Sequence, residues 1–370
     1  MNPYDFARID WNKAPERRKP AWHHRLTGQN GKQLYSGFMH IDIYAETPLF
    51  IADPRNVSFD PRKAAQSMQN QQEEYIIPGS SLKGMIRCVV ETLGNGCLTL
   101  FDGDYERGRI NYRREVPNEF QHCDTNTDLC IACRIFGMLK NRESGIFLGK
   151  VNIGDARSYP DKIIKYEPMY TAILAEPKPH HAAFYLDETG RHIAGRKYYF
   201  HRSQKLEPLK DTGPKSGKMG NRYIQPLDYD TQFHVRLDFT NLEADEFAVL
   251  MLAIVLEEDM RHKIGYGKPL GLGSIELRPI SLTLIDYAAR YTQAGTERGK
   301  TLLEGDEMWY TLNEHIAEFG RQNRLQTLAM DDLRRIWRWP AESNTQYYYP
   351  SKRDWFDNPD NHGKRIAQTL

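Results

Sequence analysis

The chain contains no apolar run long enough to cross a bilayer, and its first residues, Met1-Asn2-Pro3-Tyr4-Asp5-Phe6-Ala7-Arg8, lack the apolar core of a signal peptide. These absences argue against membrane insertion and secretion, and a cytoplasmic protein with no membrane partner is expected. Cysteine is scarce: Cys88, Cys97, Cys123, Cys130 and Cys133 are odd in number and few for 370 residues, which argues against a disulfide framework. Net charge is only +1, no tandem repeat is present, and low complexity is confined to the Gln-rich patch from Gln66 to Gln72. What remains is 40% hydrophobic and 27% charged, the composition of a globular chain with a real core. A mean hydropathy of −0.68 adds much polar loop, and the length suits one large domain with insertions or two ordinary ones.

The small net charge is unevenly spread. From Gly195 to Arg222 the chain carries Arg196, Lys197, Arg202, Lys205, Lys210, Lys215, Lys218 and Arg222 against Glu207 and Asp211, interleaved with Tyr198, Tyr199, Phe200 and, just beyond, Tyr223. Cations that neutralise phosphates beside rings that stack on bases suit nucleic acid, although a solvated loop can share this composition.

Two glycine-rich basic segments stand out. Tyr75-Ile76-Ile77-Pro78-Gly79-Ser80-Ser81-Leu82-Lys83-Gly84-Met85-Ile86-Arg87 joins an apolar strand end to a turn and a helix start. Its free N–H groups, with Lys83 and Arg87 at i, i+4, suit a phosphate chain. The second segment is Ile264-Gly265-Tyr266-Gly267-Lys268-Pro269-Leu270-Gly271-Leu272-Gly273, and the two are expected to meet at one edge of a core sheet. Ser80-x-x-Lys83 matches an acyl-transferase nucleophile signature, but no S-D-N or K-T-G follows. The second segment follows a helix and precedes a strand, the reverse of a dinucleotide-binding loop.

Periodicity places a half-buried strand at Gly37 to Ala45 and a helix from Ser81 to Leu93 stopped by Gly94 and Gly96. A second alternating strand at Phe233 to Phe239 feeds a helix containing Phe247, Leu250, Met251, Ile254 and Val255, with Thr240 and Glu243 as its capping box. Strand character returns at Ser274 to Leu277 and Ile280 to Leu284, and Val151 to Ile153 is a further strand. This order suits an α+β, split βαβ or ferredoxin-like core with long insertions. Helices are expected near Met308 to Phe319 and Met330 to Trp337, with the tail's aromatics packed on the core.

Cys123, Cys130 and Cys133 put three thiolates in one short loop, as a tetrahedral zinc site requires. The fourth ligand is Cys97 or His122. Cys97 closes the insertion from the end of the first helix and is preferred, and Cys88 is read as a buried thiol on that helix's apolar side.

The two glycine-rich segments, together with Cys130-Ile131-Ala132-Cys133-Arg134-Ile135-Phe136-Gly137, Val151-Asn152-Ile153-Gly154-Asp155-Ala156 and Gly195-Arg196-Lys197-Tyr198-Tyr199-Phe200-His201, resemble the RAMP superfamily of CRISPR-associated proteins. The likeness is to backbone subunits of type III (III-D/III-E-like) effector complexes and runs from about Tyr35 to Glu276. It implies a ferredoxin-like (RRM-like) core over residues 35–290, with a zinc-binding insertion at about 97–140 and a basic, aromatic insertion at about 157–230. A polar extension (1–34) would precede the core, and a helical extension packed on it (291–370) would follow. The resemblance implies structural Zn2+, a guide RNA (crRNA) and target RNA as ligands, and copies or paralogues of the chain and other effector subunits as partners. Guide contacts would fall to Ser80, Ser81, Lys83, Arg87 and Lys268, with Arg196, Lys197 and His201 from the basic insertion.

Target-cleaving relatives carry an aspartate in the loop after the first strand that acts with Mg2+ or Mn2+. Asp60 matches its distance best and Asp53 is the alternative, in a loop that departs from the family's glycine-rich context. A rival chemistry would use His40, His180, His181 and His201 as general acid and base in metal-independent processing of the guide precursor. A third reading is a filament subunit without catalysis that recruits a separate nuclease.

Overall fold

The computed structural model describes residues 2–28, 31–55, 63–98, 116–139, 146–174, 182–202, 210–211, 221–322, 325, 327–341, 347, 349, 355–361 and 363–365. Its main elements, in chain order, are β1 (Tyr4–Ala7), β2 (Tyr35–Ala45), β3 (Ile76–Ile77), α1 (Gly79–Leu93), α2 (Ile131–Phe136), β4 (Gly137–Leu139), β5 (Ile146–Leu148), β6 (Val151–Ile153), β7 (Ala156–Ser158) and β8 (Arg196–Tyr199). They continue with β9 (Gln232–Leu242), α3 (Ala244–Val255), β10 (His262–Lys263), β11 (Ser274–Ile285), β12 (Lys300–Glu304), α4 (Gly305–Arg321) and α5 (Leu328–Ile336). The architecture is mixed α and β. Among the described residues no helix is long and apolar enough to cross a membrane.

One eight-stranded sheet forms the centre, in the order β10-β11-β2-β9-β7-β3, with β12 added to β11 and β6 to β9. Strand β2 turns Met39, Ile41, Ile43 and Ala45 inward and Phe38, His40, Asp42 and Tyr44 outward, the period of two expected where one face is buried. Its neighbours β9 and β11 both run antiparallel to it. On the inward face lies α1, whose Leu82, Ile86, Val89, Val90 and Leu93 are buried; each side chain fully removed from water contributes about 1.5–3 kcal/mol. Every residue of α3 from Glu246 to Ile254 is buried, because α1 packs on one side and α4 covers another.

Several boundaries differ from the sequence reading for physical reasons. Strand β9 continues through an irregularity between Phe239 and Leu242, so Thr240 remains in the strand and the capping box is Glu243 with Glu246. The two strand segments expected after the glycine loop form one strand, β11, whose register shifts between Pro279 and Ser281. The terminal segments also join the core. Strand β1 pairs with β8, β12 extends the main sheet, and α5 is tied to the N-terminal segment by Arg8–Asp332 (2.7 Å) and Arg335–Asp5 (2.8 Å). In the tail, Trp337 is buried edge-on against Tyr198 at 5.0 Å.

Candidate nucleic-acid interface and metal site

Helix α1 ends at Gly94, and three residues later Cys97 meets the loop that carries Cys123, Cys130 and Cys133. All four cysteines are buried, and their sulfurs lie within 4.8 Å of one another. Cys97 Sγ is 3.6 Å from both Cys133 Sγ and Cys130 Sγ. A tetrahedral site with Zn–S of about 2.3 Å has edges of about 3.8 Å, so the four sulfurs can hold a metal such as zinc. Of the two candidates for a fourth ligand, Cys97 lies within the cluster and His122 stands outside it, its buried Nδ1 without a hydrogen-bond partner. Hydrogen bonds from Cys123, Cys133 and Cys97 hold the Cys130 thiol well below its usual range, which favours the thiolate a metal needs. Cys88 is exposed, which corrects its expected burial; the buried row of α1 runs through Leu82, Ile86, Val89, Val90 and Leu93.

The start of α1 is closed rather than open. Asp155 Oδ1 accepts the Gly79 N–H at 2.8 Å, placing a carboxylate where an anion was expected to bind. Glycine is required there, because a Cβ would lie 2.1 Å from the Ile153 carbonyl oxygen. Lys83 turns inward and donates to the Val151 carbonyl at 2.8 Å; burial, and then the charge of Arg87, lower its pKa. Arg87 donates to Glu91 (2.8 Å), to the Gly137 carbonyl (3.1 Å) and to Cys133 Sγ (3.6 Å), so it braces the cysteine cluster. The outer row of the helix is Ser80, Ser81, Gly84 and Cys88, small and exposed.

The glycine loop lies along the segment that follows β2. Tyr266 N–H donates to the Phe50 carbonyl (2.9 Å) and Gly273 N–H to that of Pro48 (2.9 Å), while Leu270 and Leu272 are buried with Phe50, Met169 and Ile224. At Gly273, φ is +79° and a Cβ would stand 1.8 Å from the Ile264 carbonyl oxygen, so no side chain fits. The two glycine-rich segments do not share a sheet edge: β3, which leads into α1, and β10, which leads into the loop, lie at opposite ends of the strand order. Strand β8 links the loop to the later part of α1: Lys268 stands 5.9 Å from the Tyr199 ring centroid, and the neighbouring Tyr198 donates its hydroxyl to the Cys88 carbonyl at 2.8 Å.

The basic insertion divides in the same way. Arg196 is engaged by Glu91 (3.0 Å) and the carbonyls of Gly96 (2.7 Å) and Cys97 (3.1 Å), which makes it structural. His201, expected to touch RNA or serve as acid or base, is buried, with Nδ1 2.7 Å from Ser274 Oγ and Nε2 2.9 Å from the Arg261 carbonyl oxygen. Its burial strongly disfavours the imidazolium. Lys197 is exposed. Lys205, Lys215, Lys218 and the side chain of Lys210 lie outside the described residues.

Asp60 also lies outside the described residues, as do His180 and His181. Asp53 is held by Arg55, whose Nε and Nη2 reach its two oxygens at 2.8–3.2 Å and whose backbone N–H adds 2.9 Å; the side-chain hydrogen bonds lower its pKa. Both oxygens thus accept hydrogen bonds from Arg55. His40 is exposed on the outer sheet face, apart from buried His201. Among the described residues the cysteine cluster is the sole group of three or more His, Cys, Asp or Glu side chains gathered closely enough for an ion.

Sequence reasoning missed Asp155, although it quoted the segment containing it, and missed a buried charge cluster. Glu246 accepts from Arg134 Nε and Lys150 Nζ, each at 2.7 Å, with all three side chains at most 1% exposed. Arg134 follows Cys133 directly, so this charge cluster joins the cysteine cluster to the first turn of α3.

The profile of the RAMP superfamily matches residues 42–276, well over half of the chain. The chain belongs to the RAMP superfamily, and membership supports a CRISPR-associated, RNA-binding role. Comparison with curated proteins gives no significant match.

Proposed function

We propose that the chain is a guide-RNA-binding backbone subunit of a type III-like CRISPR effector. Its core is ferredoxin-like: β2, α1, β6 with β7, β9, α3 and β11 follow one another in the chain, and the strands lie in the order β11-β2-β9-β7. One structural zinc ion held by Cys97, Cys123, Cys130 and Cys133 organises the insertion after α1. Copies or paralogues of the subunit and other effector proteins line the guide, and target RNA pairs with it.

The observation that carries this reading is the relation of Lys268 to α1. The exposed row Ser80, Ser81, Gly84 and Cys88 has side chains small enough for a sugar-phosphate chain to lie against the helix, and Lys268 stands beside Tyr199 of β8, the strand whose Tyr198 hydroxyl bonds the far end of that helix at the Cys88 carbonyl. Lys197 extends the positive surface, while Lys83, Arg87, Arg196 and His201 shape it from inside. Contacts of this kind read backbone and shape, as they must in a subunit that serves many guide sequences. Target cleavage is assigned to Asp60 with a divalent ion, on family resemblance; the ion would stabilise charge at the scissile phosphate.

Purifying the chain with its bound nucleic acid and sequencing that RNA tests the proposal, which expects guide RNA. Lys268→Glu should weaken binding and lower the salt slope by about 1. Unchanged affinity and slope in a folded variant would remove Lys268 from the interface.

A further inference from the structure

Beside the glycine loop, a cavity of about 300 Å3 is lined by Tyr4, Phe184, Tyr199, Tyr266 and Tyr349, with Lys197 and Lys268 as its charged members. Its lining, among the described residues, contains no Asp or Glu. Lys197 Nζ rests 3.7 Å from the Tyr4 ring centroid and 4.8 Å from that of Tyr199. The rings brace each other edge-on, with centroids 5.8 Å apart for Tyr4–Tyr199 and 6.3 Å for Tyr4–Phe184. Burial raises the Tyr4 and Tyr349 phenols well above their usual range, so they remain neutral hydrogen-bonding groups.

We propose that this cavity binds one unstacked nucleotide, its base among the tyrosines and its phosphate at Lys197 and Lys268. Ammonium groups resting on phenol faces can exchange that contact for a charge-assisted bond to phosphate, and the uncovered rings offer stacking faces that accept any base. A sugar or a cation would call for carboxylates, which the described lining lacks. The volume suits a single small ligand. Tyr4 and Tyr349 lie outside the residues matched by the family profile, so segments before and after the matched region help to line a cavity built mostly within it. The inference deepens the RNA-binding reading and rests on it for the strand as source; a free mononucleotide has the same chemistry.

Two measurements on the full chain test it. AMP and UMP are titrated by calorimetry, and a short oligoribonucleotide is photocrosslinked with the crosslinks mapped by mass spectrometry. Mononucleotide binding, or crosslinks at Tyr199 or Tyr266, is expected, and Lys197→Gln or Tyr199→Leu should weaken that binding about tenfold or more in variants whose melting shows them folded. Crosslinks without mononucleotide binding identify the strand as the source, and the converse identifies a free nucleotide. Mononucleotide binding lost in the variants, in a chain that carries no RNA, would keep the pocket and overturn the guide-binding role. RNA binding that leaves these tyrosines uncrosslinked and is indifferent to both variants, with no AMP or UMP bound, would overturn the pocket and leave the guide-binding role standing.

Discussion

Glu246→Gln should be among the most damaging single changes outside the metal site. The carboxylate is fully buried, accepts from Arg134 and Lys150 at 2.7 Å each, and takes the Glu243 N–H at 3.0 Å to close the cap of α3. Glutamine can still accept that N–H, so the cap survives and the loss is electrostatic. Arg134 would retain Asp245 at 3.2 Å and the Leu129 carbonyl, but Lys150 would retain the Asn241 carbonyl and no counter-ion. Leaving a buried charge without its partner costs about 3–5 kcal/mol. With an unfolding entropy of about 2.1 cal/mol/K per residue, that loss lowers the melting temperature of a 370-residue chain by roughly 4–6 °C. Calorimetry on metal-loaded protein measures it. Arg134→Met, Lys150→Met and Glu246→Met combined should be milder than Glu246→Gln alone, since no charge is then stranded. A Glu246→Gln melt indistinguishable from wild type, or a triple variant as unstable as the sum of its parts, would refute the reasoning.

Elemental analysis should find one zinc per chain, and Cys97→Ser should reduce it well below one while His122→Ala leaves it unchanged; a full complement in Cys97→Ser would contradict the ligand set. Asp60→Ala should abolish divalent-metal-dependent target cutting at regular spacing with guide and target binding retained, and cutting lost only in Asp53→Ala would move the role to Asp53. His262 is buried with its pKa pushed down to about 4, chiefly by desolvation, so the folded state carries it neutral. Its contribution to stability is complete above the unfolded value near 6.5 and declines as pH falls from there toward about 4, at about 1.4 kcal/mol per pH unit. Urea midpoints at pH 7 and 5 should therefore differ less in a folded His262→Gln variant; an equal difference would assign the pH dependence to other groups.

The parts of the fold legible in the sequence are those where one face meets the core. Strands β2 and β9 and the helix α1 announce themselves by strict periods of two or of about 3.6, because their inward residues are buried and their outward ones are not. Strand β12 does not: only Leu303 of Lys300–Glu304 is buried, so this outer strand has no alternation to read. Spacing made the grouping of Cys123, Cys130 and Cys133 readable, since three thiols in one short loop have few other uses, whereas the approach of Cys97 rather than His122 is decided by tertiary packing. The direction of Lys83 and Arg87 was not readable. Nothing local distinguishes a cation that meets phosphate from one that satisfies carbonyls; the decision belongs to Val151 and Gly137, which lie far along the chain.

That inward turn decides where the proposed interface keeps its charge. Arg87 and Arg196 both grip Glu91, and through Gly137, Gly96 and the carbonyl of Cys97 they fasten the end of α1 to the insertion that carries the cysteine cluster. Cations committed to such contacts cannot also neutralise a phosphate without freeing the carbonyls and carboxylate they satisfy. The outer row of α1 is therefore left smooth and uncharged, and positive charge is delivered by Lys268 and Lys197 from a loop and a strand beside it. Loss of metal should act on RNA binding through this arrangement. It would loosen Cys97 and Cys133, then Arg196 and Arg87, and so shift the helix against Lys268 before any residue at the RNA surface had changed.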